Sequence, residues 1–542
     1  MGVEDKYRPQ NYGRIRITTD QRRITERNVR EVLMAAYNDH LLNRQRINFL
    51  IEYERGNQPL QREKKIRPEI NVEVIDNLAS EIVEFKTSYK WGNKITYKQR
   101  GNFDISDNDT EMDNTGISEI NEMLNEEDSF SKDAELGYYV ETCGVGYQMV
   151  DIKRNVDGVS VFDLVTLNPL NTFVVYDNTV FHRPLMGVTY VSDDNGNIHF
   201  TCITDEQRFE ILNLNKFDGR EESVVFGERN GEMNPMHMVP IAEFIRSNDR
   251  MGCFERQISS MDALNILESD FCNNVAQDTQ SLWWGDNLDL PPIYDENGKI
   301  TGYQMPRSGG WFLTDSSENK KASVQPLVIN TQYEGILSNV KYQRDVIKQR
   351  CFVPILATAG GGSTGTAMSM SSGWETAEVQ AQKEESYMQK GKMMIAKLIL
   401  AAIRESTETP KDSAAVKLKI SDIQPSILRD RNYDMSVKAN TLATLVNNGI
   451  DFRHAIEIIK LFPDTTLVYN DSKPSIELYY EAKKAAISRA QSGESGGSEI
   501  DAEGMVKADR TMQDSSDQIT NSPILGGMNA TTGGRNGAGV TK

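Results

Sequence analysis

The sequence predicts an α+β protein, and three observations carry that prediction. Apolar residues recur at three- and four-residue steps over several long stretches, the signature of amphipathic helices. Between Tyr138 and Phe244 the texture changes to short β-rich runs separated by turn residues. Strands there and helices elsewhere together read as α+β. At 542 residues the chain is long enough for several domains.

Residues 1–29 form a polar N-terminal arm rich in arginine, with Arg8, Arg14, Arg16, Arg22, Arg23 and Arg27 followed closely by Arg30. Two readings stand: a solvated terminus, or a contact with a neighbouring subunit or nucleic acid. From Asn28 to Tyr53 the residues Val32, Leu33, Ala36, Tyr37, Leu41 and Ile47 mark a helix. YERGNQPL then breaks the pattern. A second helix is predicted after Pro68, with Ile70, Val74, Leu78, Ile82 and Phe85 on one stripe. An acidic loop covers 101–115, and one helix is predicted over Ile117–Gly137.

YYVETCGVGYQMVDI, VSVFDLVTL, NTFVVYD, LMGVTYV, NIHFTCIT and FEILNL read as strands. NVDG (155–158) and DDNG (193–196) read as hairpin turns between them, as does DENG (295–298) further on. Helical periodicity returns at 254–282, a length of roughly 40 Å, again at 330–352, and again at 374–403. Two shorter helices at 434–448 and 451–462 hinge at Gly449. From Gln491 the composition is Gly/Ser/Thr/Asn-rich, as in disordered tails.

Charge and chemistry narrow the function. The chain carries 79 Asp and Glu against 60 Lys and Arg, a formal charge of −19. It lacks the overall basic footprint of a protein that grips duplex phosphates. Five scattered cysteines without a C-x-x-C pair point to free thiols, and no zinc site is expected. The N-terminus has no apolar segment typical of a secretory leader. The longest apolar run, Ile395–Ile403, is interrupted by Lys397 and is far short of the roughly 20 residues of a membrane span.

GGGSTGT (360–366) invites a phosphate-loop reading, but no lysine follows its last glycine to reach the terminal phosphates. A mobile loop fits better, because Gly and Ser lower the cost of changing conformation. The turns DDNG and DENG cannot be calcium loops, since the required first and twelfth positions hold no carboxylate. The helix pair 434–462 has helix-turn-helix spacing, yet its second helix mixes Arg453 and Lys460 with Asp451 and Glu457, so packing is the better reading. The five histidines are far apart, and nothing proposes a catalytic set. No enzyme activity, cofactor or metal is expected.

A resemblance then joins these pieces. YERGNQPL followed by RPEINVEVIDNLASEIVEFKTSYKWGNKITY resembles the portal proteins of tailed bacteriophages that infect Gram-positive bacteria. IRSNDRMGCFERQISSMDALNILESDFCNNVAQDTQSLWW is similar to that family's first stem helix and its run into the clip. STGTAMSMSSGWETAEVQAQKEESYMQKGKMMIAKLI resembles the passage from tunnel loop to long helix, and LVNNGIDFRHAIEIIKLFPDTTLVYNDSKPSIELYY the closing helices. Two departures are the triple glycine before Thr364 and the tryptophans Trp283, Trp284 and Trp311 in the clip-like stretch.

The resemblance implies an α/β wing (30–253), stem helices (254–282 and 330–352), a small α/β clip (283–329) and a tunnel loop (353–373). It further implies a long channel helix (374–403), completion of the wing (404–465) and a helical crown (466–490), before the tail at 491–542. Such chains assemble as a ring of about twelve subunits, a heterologous contact repeated by rotation. Double-stranded DNA would pass through without its sequence being read. The implied tunnel-loop residues are Thr358, Gly360, Gly361, Gly362, Ser363 and Thr364. Lys341 and Lys348 are candidates for the channel face of the stem, with solvation or salt bridges as the alternative. Trp283, Trp284 and Trp311 are candidates for partner docking. The implied partners are further copies of the chain, the terminase large subunit, head-completion or adaptor proteins, and capsid and scaffold proteins, with no membrane. The implied location is the portal vertex of the virion, after assembly in the host cytoplasm. The rival reading is a ring-forming virion scaffold that conducts no DNA.

Overall fold

The computed structural model describes residues 13–60, 70–100, 115–213, 224–279, 283–286, 292–303, 323–326, 333–355, 373–427, 429, 434–459, 468–469, 472–478 and 481. The chain divides into two units, Met1–Asp464 and Thr465–Lys542. In the second, residues 472–478 are helical. All other elements below belong to the first.

Helix α1 (Val29–Glu54) lies over a six-stranded sheet ordered β1-β5-β6-β7-β8-β9. Its strands are β1 (Ile17–Thr19), β5 (Thr172–Asp177), β6 (Pro184–Ser192), β7 (Ile198–Thr204), β8 (Arg208–Asn213) and β9 (Val224–Phe226). Only β1 against β5 is parallel; the other pairs are antiparallel. The α1 stripe of Val29, Val32, Leu33, Ala36 and Tyr37 buries against alternate sheet residues such as Phe173, Val188, Phe200 and Phe209. The periods of 3.6 and 2 meet face to face there.

A second sheet, β10-β3-β4, comprises β3 (Val145–Ile152), β4 (Phe162–Leu167) and β10 (Ile241–Ile245). Helices α3 (Thr115–Glu126), α4 (Ser129–Cys143) and the long α7 (Trp374–Glu405) pack on it. The run Ile395–Ile403 lies in the second half of α7: Ile395, Leu398, Ile399, Ala402 and Ile403 are all inside. No helix among the described residues is long and apolar enough to cross a membrane. A third core joins α2 (Leu78–Trp91), α5 (Ile258–Thr279) and α6 (Tyr333–Arg350) through Leu78, Ile82, Phe254, Leu264 and Ile347.

Small two-stranded ladders complete the fold: β2 (Thr96–Gln99) with β15 (Ile423–Ser426), β11 (Trp283–Asp286) with β14 (Ser323–Pro326), and β12 (Pro292–Tyr294) with β13 (Ile300–Tyr303). The motifs NVDG, DDNG and DENG sit in hairpin connections. At 193–197 the Asp193 carboxylate accepts the amides of Asn195 (2.9 Å) and Asn197 (2.7 Å), with Gly196 at φ +79°. Helices α8 (Asp434–Asn447) and α9 (Phe452–Ile459) turn at Gly449, φ +89°.

Three expectations need correction. First, residues 13–29 of the arm 1–29 are built into the body. Ile17–Thr19 extends the large sheet, and the buried Arg14 guanidinium donates to the Cys143 carbonyl (2.9 Å) and pairs with Glu255 (2.5 Å). A buried charge demands such partners, and here they lie far along the chain. Residues 1–12 lie outside the described set.

Second, the helix expected from Ile70 begins only at Leu78. Residues 70–77 run extended along α5. The Val72 amide donates to Asn273 Oδ1 (2.7 Å), Val74 to Ser269 Oγ (2.9 Å) and Asp76 to Asn265 Oδ1 (3.0 Å). Four residues of helix rise about 6 Å and two of extended chain about 6.6 Å, so every second amide meets every fourth side chain. Third, the single helix expected over Ile117–Gly137 is two. Asp128, at φ +47°, separates α3 from α4, and α4 runs on through YYVETC to Cys143. Gly144 ends it in the left-handed region, at φ +77°, where a Cβ would collide with the Arg250 carbonyl.

Candidate functional site

Helix α2 presents Glu81, Phe85, Lys86, Tyr89 and Lys90 toward two other helices. Glu81 accepts from Lys348 of α6 (2.5 Å) and from Arg344 (3.3 Å). Burial works to raise the Glu81 pKa, but these two cations outweigh it and hold the carboxyl below its ordinary range. Lys86 donates to the Phe352 carbonyl just past α6 (3.2 Å), and its ammonium lies 5.7 Å from that ring's centre. Phe85 and Tyr89 bracket Trp374, the first residue of α7, at ring separations of 5.8 and 5.9 Å. The Tyr89 hydroxyl donates to Glu378. One short helix thus holds the end of α6 and the start of α7.

The end of α6 is unusual. Val353 N–H donates to the Lys348 carbonyl (2.9 Å) and Phe352 N–H to that of Gln349 (2.9 Å), while Phe352 sits at φ +58°. This cap normally takes glycine, and a side chain there costs roughly 1–2 kcal/mol. Lys86 compensates by donating to the Phe352 carbonyl and lying over its ring. Burial lowers the Lys86 pKa and the nearby Lys90 lowers it further, while Glu384 and Glu141 act the other way. Gly373, at φ +84°, precedes α7, and a Cβ on it would lie 4.0 Å from Pro354 Cα. Pro354 and Gly373 are therefore neighbours in space. The 17 residues that follow Ile355 and precede Gly373 in the chain, 356–372, lie outside the described residues.

Below this base lies a buried charge square. Lys90 and Arg246 each bridge Glu141 of α4 and Glu384 of α7: Lys90 to Glu384 at 2.5 Å, Arg246 to Glu384 at 2.6 Å and to Glu141 at 3.4 Å, with Lys90 closest to Glu141. All four side chains are at most 12% exposed. Burial alone would lower the Lys90 pKa, yet the two carboxylates raise it. Two positive and two negative groups in one enclosure make each indispensable to the rest. Arg429 spans Glu378 (3.0 Å) and Glu385 (2.7 Å), and Lys392 pairs with Asp133. Helix α7 is thus tied down by ions between Glu378 and Lys392 and by apolar contacts from Ile395 onward.

A cleft of about 420 Å³ opens beside the square, between the start of α5, the end of α6 and the middle of α7; Arg256, Arg350 and Lys383 line it with Asp249 and Glu384.

The residues singled out in the sequence are placed unevenly. Lys348 is held by Glu81 and is largely covered, whereas Lys341 is exposed on α6. Trp283 and Trp284 pair across β11–β14 with Pro326 and Gln325. Thr358, Gly360, Gly361, Gly362, Ser363, Thr364 and Trp311 lie outside the described residues. Sequence reading missed Lys86, Lys90, Glu141, Arg246 and Glu384. A signal existed in α2: Lys86 and Lys90 continue the four-residue step of Leu78 and Ile82, placing two lysines on the buried stripe. Among the described residues no group of three or more His, Cys, Asp or Glu is arranged to hold a metal ion.

One family model matches the chain over residues 35–455, from within α1 into α9; it is described as phage portal protein, SPP1 Gp6-like. No curated protein matches.

Proposed function

The chain belongs to the SPP1 Gp6-like phage portal proteins, and from that premise we propose that its copies form the ring at one capsid vertex through which double-stranded DNA enters and leaves. The family is structural and its members are components of the phage capsid. In our reading a ring of about twelve subunits closes by a repeated heterologous contact. The terminase large subunit docks on the clip, residues 283–329, during packaging, and head-completion or adaptor proteins replace it afterwards. Capsid and scaffold proteins hold the ring at the vertex after assembly in the host cytoplasm.

The observation that best supports a conduit is the base of segment 356–372. The residues that flank this glycine-rich sequence, Phe352–Pro354 and Gly373–Trp374, lie side by side and are both held by α2. In our reading that anchors both ends of a collar around moving DNA. Its small residues Gly360, Gly361, Gly362, Ser363 and Thr364 carry no charge with which to grip phosphates. A net charge of −19 per chain acts in the same direction, since tight binding would stall passage. Lys341, exposed on α6, is the better of the two lysines for a weak channel-facing ring.

The test is genome packaging by capsids assembled with and without this chain. Capsids lacking it should stay empty of DNA. DNA-filled heads formed in its absence would overturn the proposal.

A further inference from the structure

We propose that the turn between β5 and β6, together with the two arginines beside it, is one face of the contact between copies of this chain. The inference rests on the ring reading and adds the surface through which the ring closes. Val180 is 92% exposed and Phe181 77% exposed. Water contact on that scale is the wrong place for a valine–phenylalanine pair unless something covers it.

The turn that carries them is locked. Asp177 N–H donates to the Arg183 carbonyl (2.9 Å), and Arg183 N–H donates back to Asp177 Oδ1 (2.8 Å). His182 N–H donates to the Thr179 carbonyl (3.2 Å), with His182 held at φ +45°. Asn178 ties the turn to the strand beside it, its amide to the Thr19 carbonyl (3.1 Å) and its side chain to Asp20 Oδ1 (2.9 Å). A rigid apolar tip loses little freedom on docking, so more of its burial appears as affinity.

The rim supplies the charge. The Arg183 guanidinium lies 5.3 Å from the Phe181 ring centre, and that of Arg16 lies 5.7 Å from the Tyr176 ring centre. Both are exposed, and neither forms an ion pair among the described residues, while Asp177 and Asp20 are engaged in hydrogen bonds that hold the turn. Aromatic and arginine side chains set together are what binding hot spots are made of. The occupant this face fits is acidic with room for an apolar knob. The chain itself has a surplus of carboxylates, among them exposed Glu122, Asp128 and Glu135 along α3 and α4, where Phe130 is also exposed. A heterologous ring contact joins unlike faces, and a basic-apolar face on an acidic chain meets that requirement.

Assembly of the full-length chain tests this, followed by native mass against concentration. The double variant Val180→Ser, Phe181→Ser should need at least tenfold more protein to form rings. Arg16→Glu with Arg183→Glu should do the same and should also reduce the sensitivity of assembly to salt. Because all four side chains are exposed, the melting temperature at low concentration should not change. Rings forming at the wild-type concentration in both variants would overturn the proposal. So would normal rings that fail to enter capsids, since the face would then belong to a different protein. If the wild-type chain forms no ring at any concentration, the ring reading fails and this contact with it.

Discussion

Lys86 donates its ammonium to the carbonyl of Phe352, 266 residues away, at 3.2 Å, and in doing so holds a non-glycine residue at φ +58°. Removing that cation should therefore release the end of α6. Lys86→Met is expected to cost about 1.5–3 kcal/mol, the range for a hydrogen bond to a charged group. Adding Phe352→Gly should recover about 1 kcal/mol, because glycine adopts the left-handed cap without strain. Urea unfolding of the single and double variants checks both figures. A Phe352→Gly change that further destabilises the Lys86→Met protein would contradict the strain assigned to Phe352.

Glu384 is the shared carboxylate of Lys90 and Arg246. Glu384→Gln leaves two buried cations facing Glu141 alone. The expected loss is about 3–5 kcal/mol, the usual result of breaking a buried ionic group on one side. Thermal or urea denaturation reads it, and a change under about 0.5 kcal/mol would show that the square is not held together as described.

His40 of α1 is buried against the large sheet, stacked on Phe173 at 4.6 Å, with Nε2 3.1 Å from the Leu170 carbonyl. Burial pushes its pKa down to about 4, against the ordinary 6.5. The folded state therefore holds the neutral ring while the unfolded chain takes up a proton first. The stability involved is fully present above pH 6.5 and is lost as pH falls toward 4, about 3 kcal/mol in all. His40→Gln keeps a donor for Leu170 and should flatten stability between pH 6.5 and 4. An unchanged slope would mean that other groups carry the acid sensitivity.

Gly361→Pro fixes one backbone torsion and removes one amide in the segment between the clamped borders. Ring mass should be unaffected, because no residue of the clamp is altered. DNA packaging should fall. Normal packaging by this variant would remove segment 356–372 from the conduit.

The long helices were legible because their stripes are long: 374–403 emerged as Trp374–Glu405 and 254–282 as Ile258–Thr279. The hairpin turns were legible because Asp193 and Gly196 encode their own geometry locally. Residues 70–77 misled because Ile70 and Val74 have helical spacing, and only the distant Asn265, Ser269 and Asn273 make the extended form better. Arg14 misled in the same way, since Glu255 is 241 residues away. The charge square was invisible for that reason too: its members come from three helices and the bend after β10, and no local spacing names their partners.

The most direct test is a three-dimensional reconstruction of the purified full-length protein in its assembled form. The expected result is a closed ring of about twelve copies with an axial channel wide enough for duplex DNA and with residues 356–372 at its wall. A ring whose axis is too narrow for a duplex would contradict it, as would a chain that stays monomeric at high concentration with scaffold protein present.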